Sequence, residues 1–289
     1  MNDYLISILL GIIEGLTEFV PISSTAHLRI AEALLRLDLQ DSFWKMYTIV
    51  IQLGAILALP IYFRLRILKF LATFPRGERG EQTIFTHPLS LTMIAFVVTA
   101  VPSYLLKKQI GQNLENLHVI AWALIIGGVV MWLVDVVCRH PKIERIEEMN
   151  LPRALWIGAV QILSAVFPGT SRSMSTIAAG QVAGLSRAAA LEFSFFLSMP
   201  TMVAATGYDL LKTVFPHHHA AADAALAPVV MSAHNWIVLA IGFVVSFLVA
   251  LAVVAWFMRW VRARGFAPFA IYRILAGIVV LVLIGRGLR

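Results

Sequence analysis

The stretch LISILLGIIEGLTEFVPISSTAHLRI, Leu5 to Ile30, holds two glutamates, Glu14 and Glu18, in an otherwise apolar run that ends in a proline and a hydroxyl-rich segment. The layout returns 147 residues later in WIGAVQILSAVFPGTSRSMSTI, Trp156 to Ile177. Aligned so, Gly11 lies over Gly158, Glu14 over Gln161, Pro21 over Pro168 and Ser24 over Ser171. The likeness extends outward. Gln52 to Pro60 (QLGAILALP) matches Glu192 to Pro200 (EFSFFLSMP), and Ala95 to Thr99 (AFVVT) matches Gly242 to Ser246 (GFVVS). The chain therefore reads as one integral unit, 1–289, made of two related halves, about 1–138 and 154–289, joined near residues 139–153.

Composition sets the environment of these halves. Hydrophobic residues make up 60% and charged residues 13% of the 289 positions, and the mean hydropathy is +0.83. Such a chain lacks the polar surface to close on itself in water, so an all-α polytopic membrane protein is expected. Windows long enough for a hydrocarbon core of roughly 30 Å fall near 47–63, 90–107, 118–137, 189–211, 235–258 and 269–285. They predict six transmembrane helices, three per half. The opening apolar run is expected to stay in the mature protein, because no Lys or Arg precedes it and glutamates interrupt it. Cys138 is the only cysteine, which excludes an intrachain disulfide.

Charge predicts an orientation. Arg64, Arg66, Lys69, Arg76 and Arg79 follow the first crossing, and Arg139, Lys142, Arg145 and Arg153 mark the midchain joint. The positive-inside rule puts both clusters in the cytoplasm. The segment from Thr213 to His234 carries no Lys or Arg and belongs outside, as do both termini by counting crossings. The net charge of +7 fits contact with anionic lipid rather than nucleic acid, since no basic soluble domain could hold a duplex.

The two motif stretches are too interrupted to be ordinary spans. A proline followed by small hydroxyl residues would leave backbone groups unpaired against lipid, so each stretch is predicted to be a re-entrant helix-loop-helix hairpin buried in protein. An odd number of crossings per half inverts the second half, and the hairpin tips should meet near the midplane.

The chemistry gathers at those tips. Glu14 and Glu18 lie one helical turn apart on one face and could hold a divalent cation, Mg2+ or Ca2+. Ser24 and His27 share a face if a helix restarts at Ser23 or Ser24, which puts a nucleophile beside a base; Ser23 and Thr25 flank them. Plain capping would also explain the serines. In the second hairpin Gly169 permits close backbone approach, Ser171, Ser173 and Thr176 offer hydroxyls, and Arg172 offers a fork for phosphate oxygens at a helix N-terminus. Gln161 holds the place of Glu14 as a hydrogen-bonding counterpart. Glu192 could pair with Arg187 or reach the site. The histidines 217 to 219 and Asp223 suit an external linker.

EGLTEFVPISSTAH together with PGTSRSMST resembles the bacterial undecaprenyl-diphosphate phosphatases, the bacitracin-resistance lipid phosphatases, in which the motifs read E/Q-x-x-x-E and PG-x-SRS-x-x-T. Met174 departs from the pattern, standing where that family often carries Gly. The resemblance makes Glu14 and Glu18 the acidic pair, Ser24 and His27 the hydroxyl and imidazole, and Ser171, Arg172, Ser173 and Thr176 the phosphate binders. It implies hydrolysis of undecaprenyl diphosphate to the monophosphate and phosphate in the bacterial cytoplasmic membrane, which recycles the lipid carrier for peptidoglycan and underlies bacitracin resistance. Ser24 is then the candidate nucleophile with His27 as base, while attack by His27 or by a water it activates stays open. A polyprenyl diphosphate lipid is the expected partner, with a homodimer open. The rival from another class is a secondary transporter or flippase of a polyprenyl phosphate lipid, since inverted repeats with broken helices also build transporters.

Overall fold

The protein is described by a computed structural model covering residues 2–37, 41–78, 80–107, 110, 116–214 and 231–286. The first helix, α1 (Asp3–Thr17), starts where the Asn2 side chain accepts the Tyr4 N–H at 3.1 Å. The chain turns at Pro21, which cannot donate to a helical ladder. It resumes as α2 (Ser24–Leu34), capped by the Ser23 side chain. At 15 and 11 residues, these helices reach only about 22 and 16 Å at 1.5 Å per residue. Neither spans a bilayer core. A second hairpin repeats the figure in α7 (Leu151–Val166) and α8 (Arg172–Val182), with Ser171 as the cap.

Six other helices are long and apolar enough to cross: α3 (Ser42–Tyr62), α5 (Pro88–Leu105), α6 (Leu117–Val137), α9 (Arg187–Val214), α10 (Ala233–Arg264) and α11 (Ala267–Gly285). Their bounds lie within a few residues of the hydropathy windows, three to each half. A short helix, α4 (Arg64–Thr73), follows α3. The described residues thus form the all-helical architecture expected. The loop carrying histidines 217 to 219 and Asp223 lies outside the described residues.

Packing between the halves is reciprocal. Hairpin helix α1 lies along α10 of the second half, and hairpin helix α7 lies along α5 of the first. Both contacts are backbone-close, and glycine permits them. A Cβ added at Gly11 would sit 2.8 Å from the Gly242 carbonyl oxygen, and one at Gly158 would sit 2.5 Å from that of Ala95. Gly242 and Ala95 are themselves counterparts in the repeat. Hydroxyls finish the seams: Thr99 donates to the Gly158 carbonyl and Ser7 to that of Val238, each at 2.7 Å.

In the returning helices the repeat is offset by 148 residues, not 147. Ser23 and Ser171 are both caps, both in the left-handed region at φ 75° and 70°. At the far ends, Leu37 N–H bonds to Glu32 O and Leu185 N–H to Gly180 O, each at 3.0 Å. The preceding residues, Arg36 and Gly184, are again left-handed, at φ 54° and 91°. Ser171 therefore lies over Ser23 rather than Ser24. The reason is one extra residue between proline and cap, Gly169–Thr170 against the single Ile22.

Away from the tips, ion pairs join loops to helices. Arg66 places its fork on Glu147, with 2.7 Å from Nη1 and 3.0 Å from Nη2, and its Nε on Glu192 at 2.8 Å. Arg187 goes instead to Asp135 at 2.6 Å. Glu192 is thus engaged by Arg66 and not by Arg187.

Candidate functional site

The two hairpin tips meet through Glu18. This carboxylate, at the C-terminal end of α1, is 8% exposed. Its Oε2 accepts the Ser24 hydroxyl at 2.5 Å and its Oε1 accepts Arg172 Nη2 at 3.1 Å, across 154 residues of sequence. One acid therefore holds the hydroxyl of the first hairpin and the guanidinium of the second. Ser173 adds a second tie, donating to the Val20 carbonyl at 3.3 Å.

Two polar groups beside this pair are buried without a partner. Glu14, one turn before Glu18, is fully buried, and neither carboxylate oxygen has a hydrogen bond. Arg172 Nη1 is likewise buried and unpartnered. Orphaned polar groups are costly at depth, and a carboxyl group and a guanidinium nitrogen left so close together could take ligands of opposite sign.

His27 takes other partners than Ser24. Its Nδ1 lies 2.7 Å from the Ser23 carbonyl and its Nε2 lies 2.6 Å from the Tyr272 hydroxyl. A carbonyl only accepts, so Nδ1 carries the proton and Nε2 is the variable nitrogen. The hydroxyl–imidazole neighbours of the sequence are on one helix, but the base in contact with Ser24 is Glu18. Thr25 is half-buried beside them on α2.

In the second hairpin the Ser171 hydroxyl caps Met174 N–H at 3.4 Å and lies 3.1 Å from the Ser173 hydroxyl. Gly169 is left-handed at φ 91°, and a Cβ there would lie 2.6 Å from the Ile120 carbonyl oxygen, so only glycine fits. Thr176 is turned to its own helix and to α9, where it lies 2.6 Å from the Ser194 hydroxyl. Gln161 donates to Thr201 at 3.1 Å and leaves its carbonyl oxygen buried and free.

Two site residues escaped the sequence reading. Arg273, on α11, is fully buried. Its Nη1 donates to the Pro21 carbonyl at 3.1 Å, and its Nη2 reaches the carbonyls of Ala123, Gly169 and Thr170 at 3.1, 3.0 and 2.9 Å. It ties the loop of one hairpin to the loop of the other. Tyr272 precedes it and holds His27. The signal was an arginine in the middle of an apolar span, where an ionisable side chain marks function unless paired.

Fold and site together define a polytopic membrane protein with an acid, hydroxyl and guanidinium cluster suited to a phosphate-bearing ligand. Comparison with known proteins places it more narrowly. The family described as Bacitracin resistance protein BacA matches residues 7–279, and the chain belongs to that family. The Undecaprenyl-diphosphatase of Koribacter versatilis is 64% identical over 282 residues, covering 97% of this chain and 98% of its own length. That of Caldanaerobacter subterraneus subsp. tengcongensis is 40% identical, covering 96% and 95%. That of Deinococcus radiodurans is 36% identical, covering 99% and 97%.

Proposed function

We propose that this chain is an undecaprenyl-diphosphatase, which hydrolyses undecaprenyl diphosphate to undecaprenyl phosphate and phosphate and so recycles the lipid carrier. The carrying observation is the shared carboxylate of Glu18, which contacts Ser24 and Arg172 at once. Carriage alone does not require a short hydroxyl–carboxylate pair, and this favours the enzyme over a flippase.

Ser24 Oγ attacks the terminal phosphorus while its proton passes to Glu18 Oε2. The bond from that phosphorus to the bridging oxygen breaks, and undecaprenyl phosphate leaves with its electron pair. Arg172 steadies the charge on the transferred group, with Nη1 free to take a phosphate oxygen. Water then attacks the phosphoserine, giving its proton to His27 Nε2, and Ser24 regains its proton from Glu18 as phosphate departs. The helix N-termini at Ser24 and Arg172 point N–H groups toward the anion.

The donor set fits a divalent cation. Both oxygens of Glu14 are buried without a hydrogen bond, while those of Glu18 are committed to Ser24 and Arg172, so Glu14 would be the principal holder with Glu18 beside it. Among the described residues no cluster of three or more His, Cys, Asp or Glu side chains is assembled. Glu14 and Glu18 would offer such an ion oxygen ligands, which suits Mg2+ or Ca2+. Such an ion would neutralise diphosphate charge.

The apolar helices bury in the bacterial cytoplasmic membrane, with both termini on the outer side by the positive-inside rule. Phosphate release from undecaprenyl diphosphate by the purified protein in detergent, with and without chelator, tests the whole reading. Hydrolysis that stops with chelator and returns with Mg2+ or Ca2+ is expected. Undiminished binding of the lipid with no phosphate released under any metal would defeat it in favour of carriage.

A further inference from the structure

We propose that Tyr272 serves the phosphatase site by holding the His27 imidazole in one orientation and handing the proton of the attacking water on to Nε2. The proposal rests on the reading of His27 as the proton acceptor given above. It goes beyond that reading by assigning a residue that neither hairpin motif contains.

The geometry fixes the ring on three sides. Ser23 sits at φ 75°, a conformation that a non-glycine residue adopts only when its surroundings impose it. Its carbonyl accepts from the backbone N–H of His27 at 3.3 Å and from Nδ1 at 2.7 Å. This sets Nδ1 as the protonated nitrogen and aims Nε2 away from α2. On that side the Tyr272 hydroxyl stands 2.6 Å from Nε2, and the two rings are stacked, with centroids 5.6 Å apart and planes 12° from parallel. The second repeat shows what a merely structural residue does at this place. Ser175, the counterpart of His27, bonds the Ser171 carbonyl at 2.9 Å just as His27 bonds that of Ser23. The backbone figure thus needs only a small donor, and an imidazole reaching on to a tyrosine is surplus to it.

A phenol suits a ring that gains and loses a proton. When Nε2 is bare, the hydroxyl donates to it; when Nε2 carries a proton, the hydroxyl oxygen accepts. A carboxylate there would favour the charged ring and a carbonyl would serve that form alone. Tyrosine gives its own proton to Nε2 while taking that of the attacking water, then accepts from the Nε2–H, so the contact is kept and the ring does not swing between the two half-reactions. Its own placement is secured by its neighbour in sequence, since Arg273 anchors α11 to the carbonyls of both hairpin loops.

The test is Tyr272→Phe, which keeps the stacked ring and removes the hydroxyl alone. Tyr272→Phe, His27→Ala and the double variant are compared with the parent on undecaprenyl diphosphate in micelles of fixed composition. The His27 ring is followed in protein labelled with 15N-histidine, its signals assigned by their loss in His27→Ala. Tyr272→Phe is expected to lower kcat by roughly tenfold or more, with KM changed by less than about twofold. The double variant should be no slower than His27→Ala, and the 15N spectrum should keep Nδ1 protonated while the Nε2 signal shifts with the loss of its hydrogen bond. Parent kcat in Tyr272→Phe, or losses that multiply in the double variant, would overturn the proposal. Parent turnover in His27→Ala would overturn the role of His27 itself, whatever the spectra of Tyr272→Phe show.

Discussion

Glu18 carries the most at the scale of single residues. Its two oxygens each hold a donor, so an amide in its place keeps an acceptor for Arg172 but turns an N–H toward Ser24, whose hydroxyl then accepts and is left without a base. Glu18→Gln should keep the protein folded in detergent and lower phosphate release by about a hundredfold or more. Near-parent turnover would remove this residue from the mechanism. Arg172 poses a different question, because one guanidinium nitrogen is spent on Glu18 and another is left over. A lysine offers a single head group and must choose. Arg172→Lys should therefore lose mainly kcat, by roughly tenfold or more, and a loss confined to KM would show that the arginine only gathers substrate. The sequence made both residues visible, since acids and an arginine in apolar surroundings stand out. It could not show which hydroxyl met which base. The spacing of Ser24 and His27 puts them on one helix, but the contact is settled by α1 and α11, which approach from elsewhere in the chain.

At the scale of elements, the six spans and the restart of each returning helix were legible. Long apolar windows leave little choice of fold, and serines before an apolar run cap helices. The part played by α11 was not. A span is recognised by its average, and the Tyr272–Arg273 pair hides inside a 19-residue helix that passes every test of apolarity. Its partners are carbonyls, which every residue owns and no sequence pattern advertises. Arg273→Met should leave the carbonyls of Pro21, Gly169 and Thr170 without their donor. A stability loss on the order of 3 kcal/mol is expected for the orphaned groups, seen as a lower melting midpoint in detergent and a matching loss of turnover. Arg273→Lys should recover part of the stability, having a charge but too few donors for both loops. Equal melting of Arg273→Met and the parent would show that the loops hold themselves.

For the whole molecule, the decisive property is the exchange of hairpins between halves, α1 on α10 and α7 on α5. The first helix of each hairpin is then covered mainly by the other half, and the Glu18–Arg172 contact forms only when both are present. The orientation proposed above is checked by labelling in cells, in a Cys138→Ser background. A cysteine replacing Ser232 should react with a membrane-impermeant maleimide added outside, and one replacing Arg76 should not. Reaction of both from one side would reverse the count of three crossings per half. The offset of 147 set by Gly11 and Pro21, carried past the proline, misplaces the caps by one residue. A loop lengthened by one residue is invisible until the backbone torsions are compared.

That single residue has a consequence for the history of the chain. With Ser23 laid over Ser171, Ser24 falls on Arg172: the nucleophile and the guanidinium occupy one and the same place in the two copies, facing each other through Glu18. A pair of identical half-length ancestors would have carried the same side chain at both places, two serines or two arginines, and neither pairing can both attack a phosphate and hold it. The present division of labour became available only once the two copies were free to diverge separately.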